Sequence, residues 1–175
     1  MRKLALLAGG IAALAIVAIV GSLRATGKAE AAGFLGPASL LSDLNLTLEV
    51  LLVLGLTVGF TLARSGRIEA HRVNQTAWVL VNAALVACIM IPSLQNAKLQ
   101  SVADLTKLPT ALPWIHAAVG LVTLISGLWL VLQMNDVVPQ RWHTPRWKTL
   151  MRLTLTGYWL VALLGIGIYY FWNVG

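Results

Sequence analysis

LPWIHAAVGLVTLISGLWLVLQ, Leu112 to Gln133, is an unbroken apolar run whose only ionisable side chain is His116. At a rise of about 1.5 Å per residue it spans about 30 Å, the hydrocarbon thickness of a bilayer. His116 then lies inside the membrane about one turn from an end. Steps of three or four residues from it give His116, Gly120, Thr123 and Gly127, a narrow small-and-polar stripe on a Leu/Val/Ile/Trp surface. Small residues let backbones approach, and a polar group in lipid needs a partner, so the stripe should face other helices.

Composition extends this to the whole chain. Of 175 residues 58% are hydrophobic and 11% charged, and the mean hydropathy is +0.81, which a water-facing surface does not carry. The reading is an all-α integral membrane protein. A net charge of +7 would suit a nucleic-acid binder, but the basic residues cluster at the ends of apolar runs and form no long tract. The single Cys88 lies within an apolar run, which leaves no disulfide framework or CxxC motif and makes it core filler. Nucleophile-base, phosphate-loop and HExxH motifs are missing, so hydrolase and nucleotide-binding classes have no support.

Five apolar runs follow one another. Leu4 to Leu23 is about twenty residues long, more than a signal-peptide core, and is read as a first transmembrane helix. Residues 25 to 43 are rich in Ala, Gly and Ser and form a loop. Leu44 to Ala63 carries Asn45, Glu49, Leu52 and Leu56 on one face, and a carboxylate in lipid should turn to the bundle interior. A short basic link with His71 at its end leads to Val73–Leu94, whose polar face is Gln75, Trp78 and Asn82 and which Pro92 helps to end. A polar loop over 95 to 111 precedes the central helix. A loop with His143, Trp142, Trp147 and several cations precedes the last, Thr149 to Trp172. The expected organisation is an N-terminal helix and outer loop, residues 1–43, and a four-helix bundle, residues 44–175.

Five spans put the termini on opposite sides. One side collects Arg2, Lys3, Arg64, Arg67, Arg72, Arg141, Arg146, Lys148 and Arg152, and the other only Arg24, Lys28, Lys98 and Lys107. The positive-inside bias makes the first side cytoplasmic, with the N-terminus inside and the C-terminus outside.

This topology sets His71 and His143 at the cytoplasmic mouths of the third and fifth helices. Two imidazoles at one depth suit axial ligation of a b-type haem or two ligands of a copper ion, and interfacial solvation is the plainer alternative. Near the outer side Glu49 and His116 lie about 7 Å and 6 Å along their helices, so the two can meet. Such a pair, with Asn45 one turn away, can carry a proton, bind a metal or hydrogen-bond a quinone carbonyl, or simply join helices.

GRIEAHR (66 to 72), PWIHAAVG (113 to 120) and WHTPRWKTLMRLTLTGYWLVALLGIGIYY (142 to 170) resemble the bacterial four-helix membrane family catalogued as domain of unknown function 420, which includes a maturation factor for cytochrome c oxidase. The resemblance covers residues 44 to 172. His71, His116 and His143 fall on the family's histidine positions, and Asn45 falls where its first helix often has asparagine. Gln75 stands where methionine is usual, and CIMIPSLQ (88 to 95) lacks a further outer histidine, so the cytoplasmic pair alone remains as the tentative haem or copper site. Cytochrome b561-type haem proteins are also similar in outline but use two histidine pairs.

The resemblance implies a multi-pass subunit or assembly factor of a respiratory electron-transfer complex in the bacterial inner membrane. It implies no catalytic activity of the chain's own, and other membrane subunits as partners. A b-type haem carrier using His71 and His143, and a purely structural accessory subunit, are the alternatives.

Overall fold

A computed structural model describes residues 2–94 and 105–174, and among them the regular structure is helical. Five helices are long and apolar enough to cross a membrane: α1 Arg2–Ala25, α2 Leu40–Arg64, α3 Ile68–Leu94, α4 Leu108–Met134 and α5 Trp147–Asn173. The expected all-α membrane architecture is therefore the one observed. Helix α2 packs on α3 and α5, and α4 packs on the same two, so these four form a ring with α2 and α4 on its diagonal. Helix α1 docks outside the ring, against α3.

Backbone chemistry sets the helix ends, and each helix begins earlier than hydropathy alone places it. Ser39 caps α2, its hydroxyl accepting from the Ser42 amide at 3.3 Å, so the helix starts at Leu40 and the expected boundary between 43 and 44 falls within it. Gly66, with φ of +75°, ends α2 and lets the Arg67 amide reach the Leu62 carbonyl at 2.9 Å. Asp136 adopts the same left-handed backbone, φ 52°, beyond α4, where the Val137 amide reaches Leu132 at 2.9 Å. Helix α4 opens at Leu108 with Pro109 in its first turn, where a missing N–H costs nothing, and absorbs Pro113 as well.

Helix α3 runs to Leu94, as expected, with Pro92 in its last described turn. The ring of Pro92 crowds the Cys88 carbonyl and cannot donate to it, and the helix widens instead into a π-turn at Val86–Met90, with Ile91 donating to Val86. The expected polar loop of 95 to 111 falls mostly on residues 95–104, outside the described residues; its end, Leu108 to Ala111, is helical.

The core of the ring is Leu52, Val53, Leu56, Val79, Leu85, Val131, Tyr158 and Ala162, with Cys88 packed at its edge as expected. Leu4, Leu7, Ile11 and Leu14 of α1, Leu121, Val122 and Ile125 of α4, and Leu153, Leu160 and Leu163 of α5 point outward, the surface a bilayer would cover. Glycine sets the closest approaches. A Cβ on Gly9 would lie 2.8 Å from Leu80 Cδ1 and 3.2 Å from the Ala77 Cα, so α1 lies nearly backbone to backbone on α3. On α2, Trp78 sits against Gly55, and Asn74 and Gln75 against Gly59.

Candidate functional site

Polar side chains of α3 form a ladder onto α2. The His71 ring Nδ1 bonds the Gly59 carbonyl at 2.7 Å, Asn74 Nδ2 donates to Gly55 at 2.8 Å, and Gln75 Nε2 to Leu56 at 3.1 Å. Spacings of three and four residues align the three donors along one face, and glycine at 55 and 59 brings the accepting carbonyls within reach. His71 is 4% exposed, so it is neither solvated by headgroups nor at an open helix mouth.

His143 lies after the short 3-10 turn Gln140–Trp142 in the α4–α5 connection, half-buried, with Nε2 3.1 Å from the Val138 carbonyl. The two imidazoles thus bond main-chain carbonyls on different elements. Among the described residues no three of His, Cys, Asp and Glu gather into a metal-holding group. A cavity of about 40 Å³ between the ring helices, lined by Gln75, Val79, Gly127, Met151, Thr154 and Tyr158 among others, includes neither histidine and has room for a few waters. A haem macrocycle does not fit it.

The rest of the ring interior is similarly cross-linked. Asn82 Nδ2 donates to the Tyr158 hydroxyl at 3.3 Å, and Asn135 Nδ2 donates to Thr76 Oγ1 at 3.0 Å. Gln133 Oε1 accepts the Thr144 amide at 2.8 Å, and Trp129 Nε1 donates to the Thr144 hydroxyl at 3.0 Å, which pins the α4–α5 connection to α4. The stripe of α4 meets α5: Gly127 lies against Tyr158, Thr123 against Gly157, and Gly120 faces Val161. The stripe therefore does what its composition requires, and α5 is the partner.

Glu49 and His116 do meet. Glu49 Oε1 lies 3.8 Å from His116 Nε2, with side chains 8% and 13% exposed, so the two reach across the diagonal between α2 and α4. Helix α2 starts at Leu40 and α4 at Leu108, which sets Glu49 and His116 about 13 Å and 12 Å along their helices, at matching distances from the two starts. The carboxylate rests on Gly165 of α5, where any Cβ would collide with it, and the Val161 carbonyl faces the imidazole. The separation is too long for a hydrogen bond. Glu49 Oε1, His116 Nδ1 and Asn45 Oδ1 are buried without a hydrogen-bond partner.

Asp43 belongs to no motif or face singled out by helical spacing. The structure buries it completely, with Oδ2 accepting the Phe34 and Leu35 amides at 2.5 and 2.6 Å and Oδ1 accepting the Tyr169 hydroxyl at 2.6 Å. One carboxylate thus ties the 31–39 loop and the end of α5 to the start of α2. The only signal for it was an acidic residue in the first turn of a helix, where the positive end of the helix dipole favours it.

Neither protein-family models, curated proteins nor solved structures give a match to this chain.

Proposed function

We propose that this chain is a non-catalytic multi-pass membrane subunit or assembly factor of a respiratory electron-transfer complex of the cytochrome oxidase type. The observation that carries the non-catalytic part is the use of the bundle's polar groups. His71, Asn74 and Gln75 bond carbonyls of α2, and Asn82 and Asn135 bond hydroxyls of α5 and α3, so these groups join helices to one another. The respiratory part rests on the resemblance of GRIEAHR, PWIHAAVG and the 142–170 segment to the family that holds an oxidase maturation factor. The basic end, which carries Arg64, Arg67, Arg72, Arg141, Arg146, Lys148 and Arg152, is assigned to the cytoplasm by the positive-inside bias.

Deletion of the gene tests this reading. Reduced-minus-oxidised spectra of membranes from the deletion strain should show the oxidase haem bands lowered and cytochrome c oxidase activity lost, with succinate and NADH dehydrogenase activities retained. Restoration by the wild-type chain is the expected complement. Unchanged oxidase bands and activity would exclude the assignment.

A further inference from the structure

We propose that Glu49, His116 and Asn45 hold one divalent transition-metal ion, of the zinc class, inside the half of the bundle remote from the basic end. The first ground is unsatisfied chemistry. Glu49 is 6% exposed and its Oε1 has no hydrogen-bond partner; Asn45, one helical turn away on the same face of α2, is half-buried, and its buried Oδ1 has no partner either. Two orphaned oxygen acceptors on one face of α2, that of Glu49 3.8 Å from the His116 imidazole, offer electron-pair donors, and buried polar atoms are rarely left without partners.

The second ground is spacing. Glu49 Oε1 and His116 Nε2 are 3.8 Å apart, beyond a hydrogen bond. Zinc–ligand bonds of about 2.0–2.2 Å in tetrahedral geometry hold two donor atoms about 3.3–3.5 Å apart, so a closure of a few tenths of an ångström would seat an ion between them.

The third ground is the donor set. One carboxylate, one imidazole and one amide oxygen match borderline divalent ions such as Zn²⁺, whereas Cu(I) selects the thiolates and thioethers this set lacks. Three protein ligands leave a fourth position for water or an exchanging ligand. Gly165 is part of the design, because only a residue without Cβ leaves the Glu49 carboxylate where it stands.

The full-length protein, purified metal-free into lipid nanodiscs, should be titrated with Zn²⁺ by calorimetry and with Co²⁺ by visible absorption. One ion per chain is expected, with Co²⁺ giving the ligand-field bands of a four-coordinate site. Glu49→Gln and His116→Gln should each weaken binding by at least about a hundredfold, while His71→Ala and His143→Ala should not change it. Gly165→Ala keeps every donor but displaces the carboxylate, and should weaken binding at least tenfold in a chain that still folds. Absence of stoichiometric uptake by the wild type would overturn the proposal, as would wild-type affinity in both Glu49→Gln and His116→Gln. The titration reads the ion on the isolated protein, so its result stands apart from any oxidase phenotype.

Discussion

At the scale of single residues, the side chains legible in the sequence are those whose partners helical periodicity identifies. Asn45, Glu49, Leu52 and Leu56 share a face because they recur every three or four residues, and the structure turns Glu49, Leu52 and Leu56 inward. His71 was not legible in this way. Its partner is a main-chain carbonyl on the preceding helix, and nothing in the spacing of side chains shows how far two helices are rotated about their axes. Asp43 was hidden for a related reason, since its partners are two loop amides and a tyrosine 126 positions away. Glu49 and His116 are legible as a pair through their matching distances along their helices, and the structure brings them within 3.8 Å. In metal-free protein, Glu49→Gln, His116→Leu and the double variant should show a coupling of about 0.5–3 kcal/mol in a thermal-stability cycle, the double variant being less damaged than the sum of the singles. Strict additivity would mean the side chains act independently. A second case is Tyr158→Phe, which removes the Asn82 contact at 3.3 Å and should cost about 0.5–1.5 kcal/mol in the same assay.

At the scale of elements, helix existence was plain from hydropathy and helix ends were not. Helices α2 and α4 start a few residues earlier than their apolar runs because the Ser39 cap and Pro109, rather than apolar character, decide where the first turn forms. The π-turn at Val86–Met90, just before Pro92 in the last described turn of α3, is a local feature that hydropathy does not show. How elements pack rests on glycine, and adjacent positions on α1 make a controlled test. A Cβ at Gly9 meets Leu80 and the Ala77 backbone, whereas at Gly10 it meets nothing within 4 Å. Gly9→Val should therefore lift α1 from α3 and lower thermal stability by roughly 1–3 kcal/mol, with loss of disulfide crosslinking between cysteines placed on the two helices. Gly10→Val should leave both readouts near wild type. Equal effects at the two positions would show that α1 does not dock through this face.

For the whole molecule, the ring of α2 to α5 with α1 outside it follows from five spans and short connections, but which helix faces which does not. The stripe on α4 announced a close neighbour without naming α5, because small residues specify proximity and not identity. Orientation in the membrane rests on charge: single cysteines at Ser65 and at Asp136 in a Cys88→Ala background should resist a membrane-impermeant thiol reagent in intact cells, and one at Lys28 should react. Labelling at Ser65 but not at Lys28 would reverse the topology.

On the proposed function, His71 and His143, each bonded to a main-chain carbonyl, hold helices and connections together and are not the axial ligands of a haem. The visible absorption spectrum of the protein purified from its native membranes tests this most directly. No Soret band, and no α or β bands on reduction, are expected. A stoichiometric Soret band, abolished by both His71→Ala and His143→Ala, would contradict it.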